Sequence, residues 1–167
     1  MKSYFRWMAV AAMCVVTGVS FAASPVASDR VFSRGDMVLG ALVGYGDGFS
    51  QKVALEYCVY DNWLNNKASL GIGAAVGNCI GNHWDRLSAE ITGTFHYQFT
   101  RSLDTYATVG VGGGYRFYDD FYGSDGSIFS WTTCAGARWY FSRWFAVNVE
   151  AGYSFGSYIL AGVNWRF

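Results

Sequence analysis

The sequence of 167 residues contains no long apolar run beyond its extreme N-terminus, and it is poor in proline and in charge. Without about 18 consecutive apolar residues, no later segment is suited to cross a membrane as a helix. A single proline and a charged fraction of 14% contrast with 21 glycines and an aromatic fraction of 19%. This composition is typical of an all-β protein, and in particular of one whose apolar face meets lipid.

Cysteine is too scarce to form a disulfide framework. Of the four cysteines, Cys14 belongs to the N-terminal apolar segment, which leaves Cys58, Cys79 and Cys134. An odd count cannot form a complete set of disulfides, and the spacing matches no zinc motif. We predict that Cys58 and Cys134 are small buried thiols that point inward from strands, and that Cys79 lies in a loop.

The first 22 residues are predicted to be a secretory signal peptide. Lys2 and Arg6 form a basic start, residues 7–19 supply the apolar segment, and Ser20 and Ala22 are the small residues before the expected cut. An uncleaved anchor helix is less favoured, because the segment is short for a membrane span. Residues 23–35 are predicted to be a short polar linker.

Charge argues against a nucleic-acid partner. Removing Lys2 and Arg6 from the 12 basic residues leaves 10 against 12 acidic residues, a formal charge of −2. Proteins that bind nucleic acid instead show clustered lysine and arginine.

Apolar side chains recur with a period of two throughout residues 36–167, which is the pattern of strands between two different environments. The clearest segment is 87–99, where Ile91 and Phe95 lie on one face and Glu90 and His96 on the other. We predict one barrel domain of eight strands, at about 36–46, 51–61, 68–77, 87–99, 105–117, 128–141, 145–155 and 157–167. Most of these segments are close to the roughly 9–11 residues that a tilted strand needs to cross a bilayer.

Large aromatic residues lie near the ends of the predicted strands, on the apolar face. Between them this face is mostly aliphatic or glycine, so two interfacial girdles around an aliphatic band explain the distribution, whereas a ligand-filled lumen does not. The apolar face is therefore predicted to point outward, opposite to a soluble lipocalin-like barrel. One girdle comprises Phe99, Trp139, Phe141, Phe145, Trp165 and Phe167, and the other Tyr45, Tyr115, Phe117, Phe129, Trp131, Tyr153 and Phe155.

The opposite face carries all three glutamates, several cations and many glycines. An eight-stranded barrel is just wide enough for side chains to fill it, and glycine makes room for long ones. Because an unpaired buried charge is costly, acids and bases on this face should pair within a sealed polar core. The predicted interior charge network consists of Lys52, Glu56, Glu90, Arg116, Arg138, Glu150 and Arg166.

The last strand, 157–167, carries a resemblance to a known group of proteins. Its apolar face ends on Trp165 and Phe167, and this resembles the final strand of bacterial outer-membrane β-barrels. Residues 36–167 as a whole resemble the small eight-stranded OmpA/OmpX-like barrels, including the opacity-protein type of the porin superfamily. The resemblance implies an antiparallel up-and-down transmembrane barrel in the outer membrane of a Gram-negative bacterium, exported through the periplasm. It also implies recognition of the strand ending at Phe167 by the barrel-assembly machinery, and contact with outer-membrane lipid and lipopolysaccharide.

The connectors provide the functional hypothesis. In the resembled family the chain ends on the periplasmic side, which would put the connectors near 46–50, 78–86, 118–126 and 156–157 outside. This set would contain the longer loops, and the connectors near 62–67, 100–102 and 142–143 would be the periplasmic turns. One of them mixes aromatic and acidic residues and is a candidate for contact with a host or envelope surface: Tyr118, Asp119, Asp120, Phe121 and Tyr122. Its tyrosines could equally lie among lipid headgroups. We therefore expect a non-enzymatic role in surface interaction, such as adhesion, or in envelope integrity.

Two alternatives stay open. A small-solute pore would require the interior charges, among them Glu56, Arg116 and Arg138, to rearrange. A lipid A-modifying enzyme would need a serine, a histidine and an acid on the lipid-facing wall. His96 is predicted to point inward, and His83 lies near Asp85 and Ser88 without a matching motif.

We expect no catalytic residue, cofactor or metal. Two sets of residues with acidic, histidine or thiol side chains have the chemistry to hold a cation, but neither set has the spacing of a recognised ligand motif. They are Cys79 with His83 and Asp85, and Asp119 with Asp120 and Asp125.

Overall fold

The computed structural model describes residues 32–119 and 123–167, and these form one closed antiparallel barrel with strands in chain order. The predicted signal peptide and residues 23–31 lie outside the described residues. The strands are β1 (Met37–Gly46), β2 (Phe49–Trp63), β3 (Ala68–Ile80), β4 (Trp84–Gln98), β5 (Leu103–Tyr118), β6 (Gly126–Tyr140), β7 (Phe145–Ser154) and β8 (Ser157–Arg166). The pairing of β1 with β8 closes the sheet. The predicted eight-stranded up-and-down barrel is confirmed.

Strands β2 to β6 are longer than predicted, with 13 to 16 residues, whereas β1, β7 and β8 have 10 each. The longer strands include residues that were predicted to be loop. Cys79 is one of them: it lies in β3, opposite Arg86 of β4, and is fully buried. The loop prediction for Cys79 was wrong because the β3–β4 ladder continues to the pair Ile80 and Asp85.

The barrel has two different ends. At the terminal end, where β1 begins and β8 ends, four-residue turns connect the strands at 64–67, 99–102 and 141–144. At the loop end the connectors are 47–48, 81–83, 119–125 and 155–156. Three of these have only two or three residues. The set that was predicted to contain the longer loops thus includes the longest connector, 119–125, but its other three are shorter than the terminal-end turns, because the strands extend into them.

The wall of the barrel is apolar outside and polar inside. Ile91 is 70% exposed on the outer wall, whereas its neighbour Glu90 is 3% exposed in the lumen. This is the reverse of a water-soluble protein, in which charged side chains are seldom fully buried. Over the part of the chain that the structure covers, no helix is long and apolar enough to cross a membrane.

Phe155 corrects one assignment to the aromatic girdles. It was predicted to point outward at the end of β7, but it lies in the β7–β8 turn and is 1% exposed. Its φ of 50° and the φ of 80° at Gly156 turn the chain out of the strand conformation, and the ring is directed into the barrel. There it lies against Gly77, where a Cβ would overlap the ring. Phe155 therefore closes the lumen near the loop end.

Phe32 closes the terminal end. The sequence assigned it to a polar linker, but it is buried against Val38 and Cys58, and its ring centroid is 4.4 Å from that of His96. The amide of Gly35 donates to the carbonyl of Cys58, which fixes this segment to β2. A cavity lined by Phe32 and His96, among other residues, has a volume of about 10 Å³, which is room for one water at most.

Candidate functional site

The centre of the terminal half is a buried cluster of two acids and two bases, which we call the His96 cluster: Glu56, His96, Asp104 and Arg138. Glu56 accepts from His96 Nε2 at 2.6 Å and from Arg138 Nη2 at 2.7 Å. His96 Nδ1 lies 2.9 Å from Asp104 Oδ2, and Arg138 Nη1 lies 3.7 Å from the same oxygen. Because both carboxylates are acceptors, the imidazole satisfies them with a proton on each nitrogen. The cluster thus joins β2, β4, β5 and β6 with balanced charge.

Asp104 was not among the predicted network residues. The predicted strand began at Thr105, two residues after the observed start at Leu103, although Asp104 has the same parity as the inward Tyr106 and Thr108. Extending the alternation backwards by one residue would have found it.

A second network crosses the middle of the lumen. Lys52 Nζ donates to Glu150 Oε2 at 2.7 Å, and the Tyr106 hydroxyl lies 2.8 Å from both Glu150 Oε1 and Asn148 Oδ1. The Arg138 guanidinium lies 4.3 Å from the centre of the Tyr106 ring, which connects this network to the His96 cluster. The lumen is therefore filled by side chains that hold opposite walls together.

Arg166 pairs with an acid at the terminal end. Its Nη1 lies 3.8 Å from Asp36 Oδ2, and its Nε donates to the carbonyl of Arg143 at 2.8 Å. Asp36 also accepts from the amide of Ser33. Burial raises the pKa of the Asp36 carboxyl, while this hydrogen bond and the charge of Arg166 act in the opposite direction.

Glu90 and Arg116 differ from the other predicted network residues. Glu90 is buried and accepts a hydrogen bond from Ser130, but its Oε2 has no partner. The Arg116 guanidinium is half-buried at the loop end, 5.1 Å from the Trp84 ring, and its Nη1 donates to the Tyr118 hydroxyl at 3.2 Å. Within residues 32–119 and 123–167, no carboxylate forms an ion pair with Arg116.

Arg86 was missed by the sequence prediction because residues 78–86 were assigned to a loop. It lies in β4 and is 6% exposed. Its Nη1 donates to the Tyr153 hydroxyl at 3.2 Å, and its Nη2 lies against Gly156. The side chain therefore reaches from β4 to the β7–β8 turn across the loop end.

The predicted girdle residues fall into three groups. Phe155 is inside, as described above. Five are half-buried: Phe117, Phe145, Tyr153, Trp165 and Phe167. Seven are exposed on the outer wall: Tyr45, Phe99, Tyr115, Phe129, Trp131, Trp139 and Phe141.

Only part of the candidate interaction loop is described, because Asp120, Phe121 and Tyr122 lie outside the described residues. The amide of Tyr118 donates to Asp125 at 2.7 Å, and the amide of Asp119 donates to the carbonyl of His83 at 3.0 Å. The base of this loop is thus hydrogen-bonded to itself and to the β3–β4 connector.

The serine and histidine considered for lipid A chemistry do not face each other. Ser88 points into the lumen and is 3% exposed, whereas His83 is on the loop-end surface with its Nδ1 3.7 Å from Asp119 Oδ2. The thiols of Cys58, Cys79 and Cys134 are free and buried. Among the described residues, no group of three or more histidine, cysteine, aspartate or glutamate side chains is arranged to hold a metal ion.

Two glycines provide a matched test of how tightly the lumen is filled. A Cβ at Gly136 would overlap the Tyr106 ring, which its hydrogen bonds hold in place, whereas a Cβ at Gly93 would meet nothing within 4 Å. We expect Gly136→Ala to lower the free energy of unfolding by about 1–3 kcal/mol. Gly93→Ala should leave it unchanged or raise it by about 0.4–1 kcal/mol. Urea unfolding of the two refolded variants measures this, and equal values would mean that the lumen is loosely packed.

Comparison with known proteins identifies the fold but not a family by sequence. Searches against protein-family models and against curated proteins found no match. Among solved structures, the chain is similar to Ail, the attachment invasion locus protein of Yersinia pestis, with 17% identity and a TM-score of 0.54 over 81% of this chain and 100% of that one. It is also similar to the N-terminal β-barrel domain of Pseudomonas aeruginosa OprF, with 16% identity and a TM-score of 0.55 over 80% of this chain and 98% of that one.

Two further similar structures extend this comparison. De novo designed transmembrane β-barrels give 19% identity and a TM-score of 0.53 over 81% of this chain and 98% of the designed one. Ail has also been solved in complex with the heparin analogue sucrose octasulfate, with 16% identity and a TM-score of 0.51 over 81% of this chain and 100% of that one.

Proposed function

Because the chain has the fold of the small eight-stranded transmembrane β-barrels, we propose that it is a non-enzymatic integral protein of the bacterial outer membrane. The observation that carries this proposal is the reversed polarity of its wall: large apolar side chains are exposed outside, and ion pairs are buried inside. In water such an outer wall would drive aggregation, whereas lipid covers it favourably. Its role is in surface interaction or envelope integrity.

The proposal includes an orientation of the barrel in the membrane. β1 begins and β8 ends at the terminal end, which faces the periplasm in this proposal. Residues 1–22 direct export, and the last strand with Phe167 engages the barrel-assembly machinery. The exposed and half-buried aromatics at both ends lie at the two lipid interfaces, with lipopolysaccharide around the outer one. The loop end and its 119–125 loop then face the exterior.

The filled lumen supports a structural or binding role over a pore. Phe32 and Phe155 close the two ends, and the networks around His96 and Glu150 occupy the space between them. A pore would require several ion pairs to break together. Ser88 points away from the lipid-facing wall, which argues against its use as a nucleophile on lipid A.

Surface interaction is proposed through the loop end. Its long loop joins aromatic and acidic residues, and its connection to His83 gives it a fixed base. The similar protein Ail is an attachment and invasion locus protein, which supports a role in attachment for a barrel of this size.

Expression in a Gram-negative host tests the proposal. We expect the mature chain in the outer-membrane fraction, with a heat-dependent shift on a detergent gel because the closed barrel resists unfolding at room temperature. Deleting 119–125 should keep that shift and reduce cell adhesion or envelope integrity, whereas altering the turn 99–102 should leave both unchanged. Recovery of the chain as a detergent-free soluble protein would refute membrane insertion. A normal phenotype for the loop deletion would refute the loop-end role alone.

A further inference from the structure

Within the described residues, the loop end contains two arginines that form no ion pair with a carboxylate. Arg86 of β4 and Arg116 of β5 are directly opposite each other in the sheet. Like charges in this arrangement repel each other. Across the described part of the chain, the ion pairs of the lumen involve Lys52, Arg138 and Arg166, and neither of these two arginines.

The loop end differs from the rest of the lumen in the pairing of its charges. The terminal half and the middle balance each cation with an acid, as Lys52 does with Glu150. Glu90, the one further glutamate of the lumen, bonds to Ser130 and lies beyond ion-pair distance of Arg86 and Arg116. Among the described residues, the loop-end half of the lumen therefore holds two guanidiniums without an ion-paired carboxylate, while Asp47, Asp85, Asp119 and Asp125 lie in or beside the surrounding connectors. A buried guanidinium without a counter-charge is costly.

Among the described residues, several hydrogen-bond donors at this end have no partner, as is also true of Arg138 Nε and Asn148 Nδ2 elsewhere in the lumen. Those at the loop end include Arg86 Nη2, Arg116 Nε and the hydroxyls of Ser88 and Ser157. Ser88 is the next inward residue after Arg86 on β4, and Ser157 follows Gly156, against which Arg86 Nη2 lies. These four groups come from three strands around one mouth of the barrel. All four are hydrogen-bond donors, which is the chemistry that an anion requires.

The geometry points to a binding site for a phosphate or sulfate group at the loop-end mouth, built from Arg86 and Arg116 and completed by Ser88 and Ser157. A guanidinium donates in a planar fork that suits the oxygens of phosphate and sulfate. The rings of Trp84 and Tyr118 lie 5.1 and 6.0 Å from the Arg116 guanidinium and limit its movement. The half-buried Arg116 would receive the anion first, and Arg86 would hold it deeper in the mouth.

The inference rests on the proposed function in one respect, namely that the loop end faces the exterior. Two sources could then supply the same chemistry: a sulfated or phosphorylated glycan from solution, or the phosphorylated headgroup of a neighbouring lipid. Binding in detergent does not depend on cellular location, so failure of this inference and failure of the proposed function can be distinguished.

Calorimetric titration of the refolded mature chain tests the site with two probes, sucrose octasulfate in solution and lipid A in mixed micelles. Because a hydrogen bond to a charged group is strong, Arg86→Gln and Arg116→Gln should each weaken binding about tenfold or more. Arg101→Gln, which removes an exposed arginine at the terminal end, should not weaken it. Binding should also fall as salt is raised. A response to sucrose octasulfate alone identifies a soluble ligand, and a response to lipid A alone identifies a headgroup.

The fold of each variant is checked by its heat-dependent gel shift. If Arg86→Gln does not refold, Arg116→Gln decides, because that side chain is only half-buried. The inference is overturned if neither probe binds. It is also overturned if Arg101→Gln reduces affinity as much as the two loop-end substitutions, which would indicate unspecific attraction to positive charge.

Discussion

Replacing Glu56 with glutamine is expected to lower the free energy of unfolding by about 3–5 kcal/mol, because it breaks a buried ion pair and leaves a charge without its partner. Glu56 accepts from Arg138 at 2.7 Å and from His96 at 2.6 Å, and all three side chains are almost completely buried. The amide of glutamine carries no charge and accepts through one oxygen only. Equilibrium unfolding in urea, followed by tryptophan fluorescence of the barrel in lipid, measures the loss.

Glu90→Gln is the matched control. Glu90 is buried to the same degree and in the same lumen, but it bonds to a serine hydroxyl and its second oxygen has no partner. Removing its charge should therefore cost less than about 1 kcal/mol and could stabilise the fold. If Glu56→Gln cost no more than Glu90→Gln, the His96 cluster would contribute nothing specific to stability.

The His96 cluster also explains how a barrel with so many glycines stays closed. Its four side chains come from β2, β4, β5 and β6, and the Tyr106–Glu150 contact continues to β7. Long side chains from one wall thus reach the opposite wall through the space that glycines leave, as Tyr106 does over Gly136. These contacts across the lumen make the barrel rigid, and a rigid barrel is suited to present a surface at one end.

Alternation predicted the number and order of the strands, though not their ends. In a barrel with lipid outside and charges inside, each strand residue must point to the side that suits its polarity. A slip of one position would put Glu90 or Glu150 into lipid, so the parity of β4 and β7 was fixed by these glutamates. The predicted inward position of His96 follows from the same argument. Its contact with Glu56 did not follow, because the two residues are 40 positions apart in sequence and lie on strands that are not neighbours, β2 and β4. Asp104 is only eight positions from His96 and was missed because the predicted strand began too late.

The wrong predictions concern residues for which the alternation along the strand does not indicate where the side chain points. Phe155 continues the outward series of β7 in sequence, but the turn rotates its ring inward. Phe32 precedes the first strand, where no period exists to say that it packs on His96. Cys79 and Arg86 lie in a stretch rich in glycine and asparagine that reads as a loop, although its backbone groups pair across β3 and β4.

Replacing Ile91 with arginine is expected to lower the free energy of unfolding in a bilayer by about 2–4 kcal/mol, because this position would face the middle of the hydrocarbon. Ile91 is the central residue of β4 and is 70% exposed on the outer wall. If water covered that wall, the same substitution of an exposed residue would change stability by about 0.5 kcal/mol or less. Ile91→Arg thus distinguishes lipid from water as the environment of the outer wall.

Ile159→Arg is the control, since Ile159 has nearly the same exposure, 63%, but lies next to the loop end of β8. Near an interface an arginine can extend its charge to water, so the expected loss there is about 0–1 kcal/mol. The measurement compares urea unfolding of both variants in phospholipid vesicles. Equal losses of stability at the two positions would show that no depth-dependent apolar layer surrounds the barrel. That result would refute the proposed membrane location.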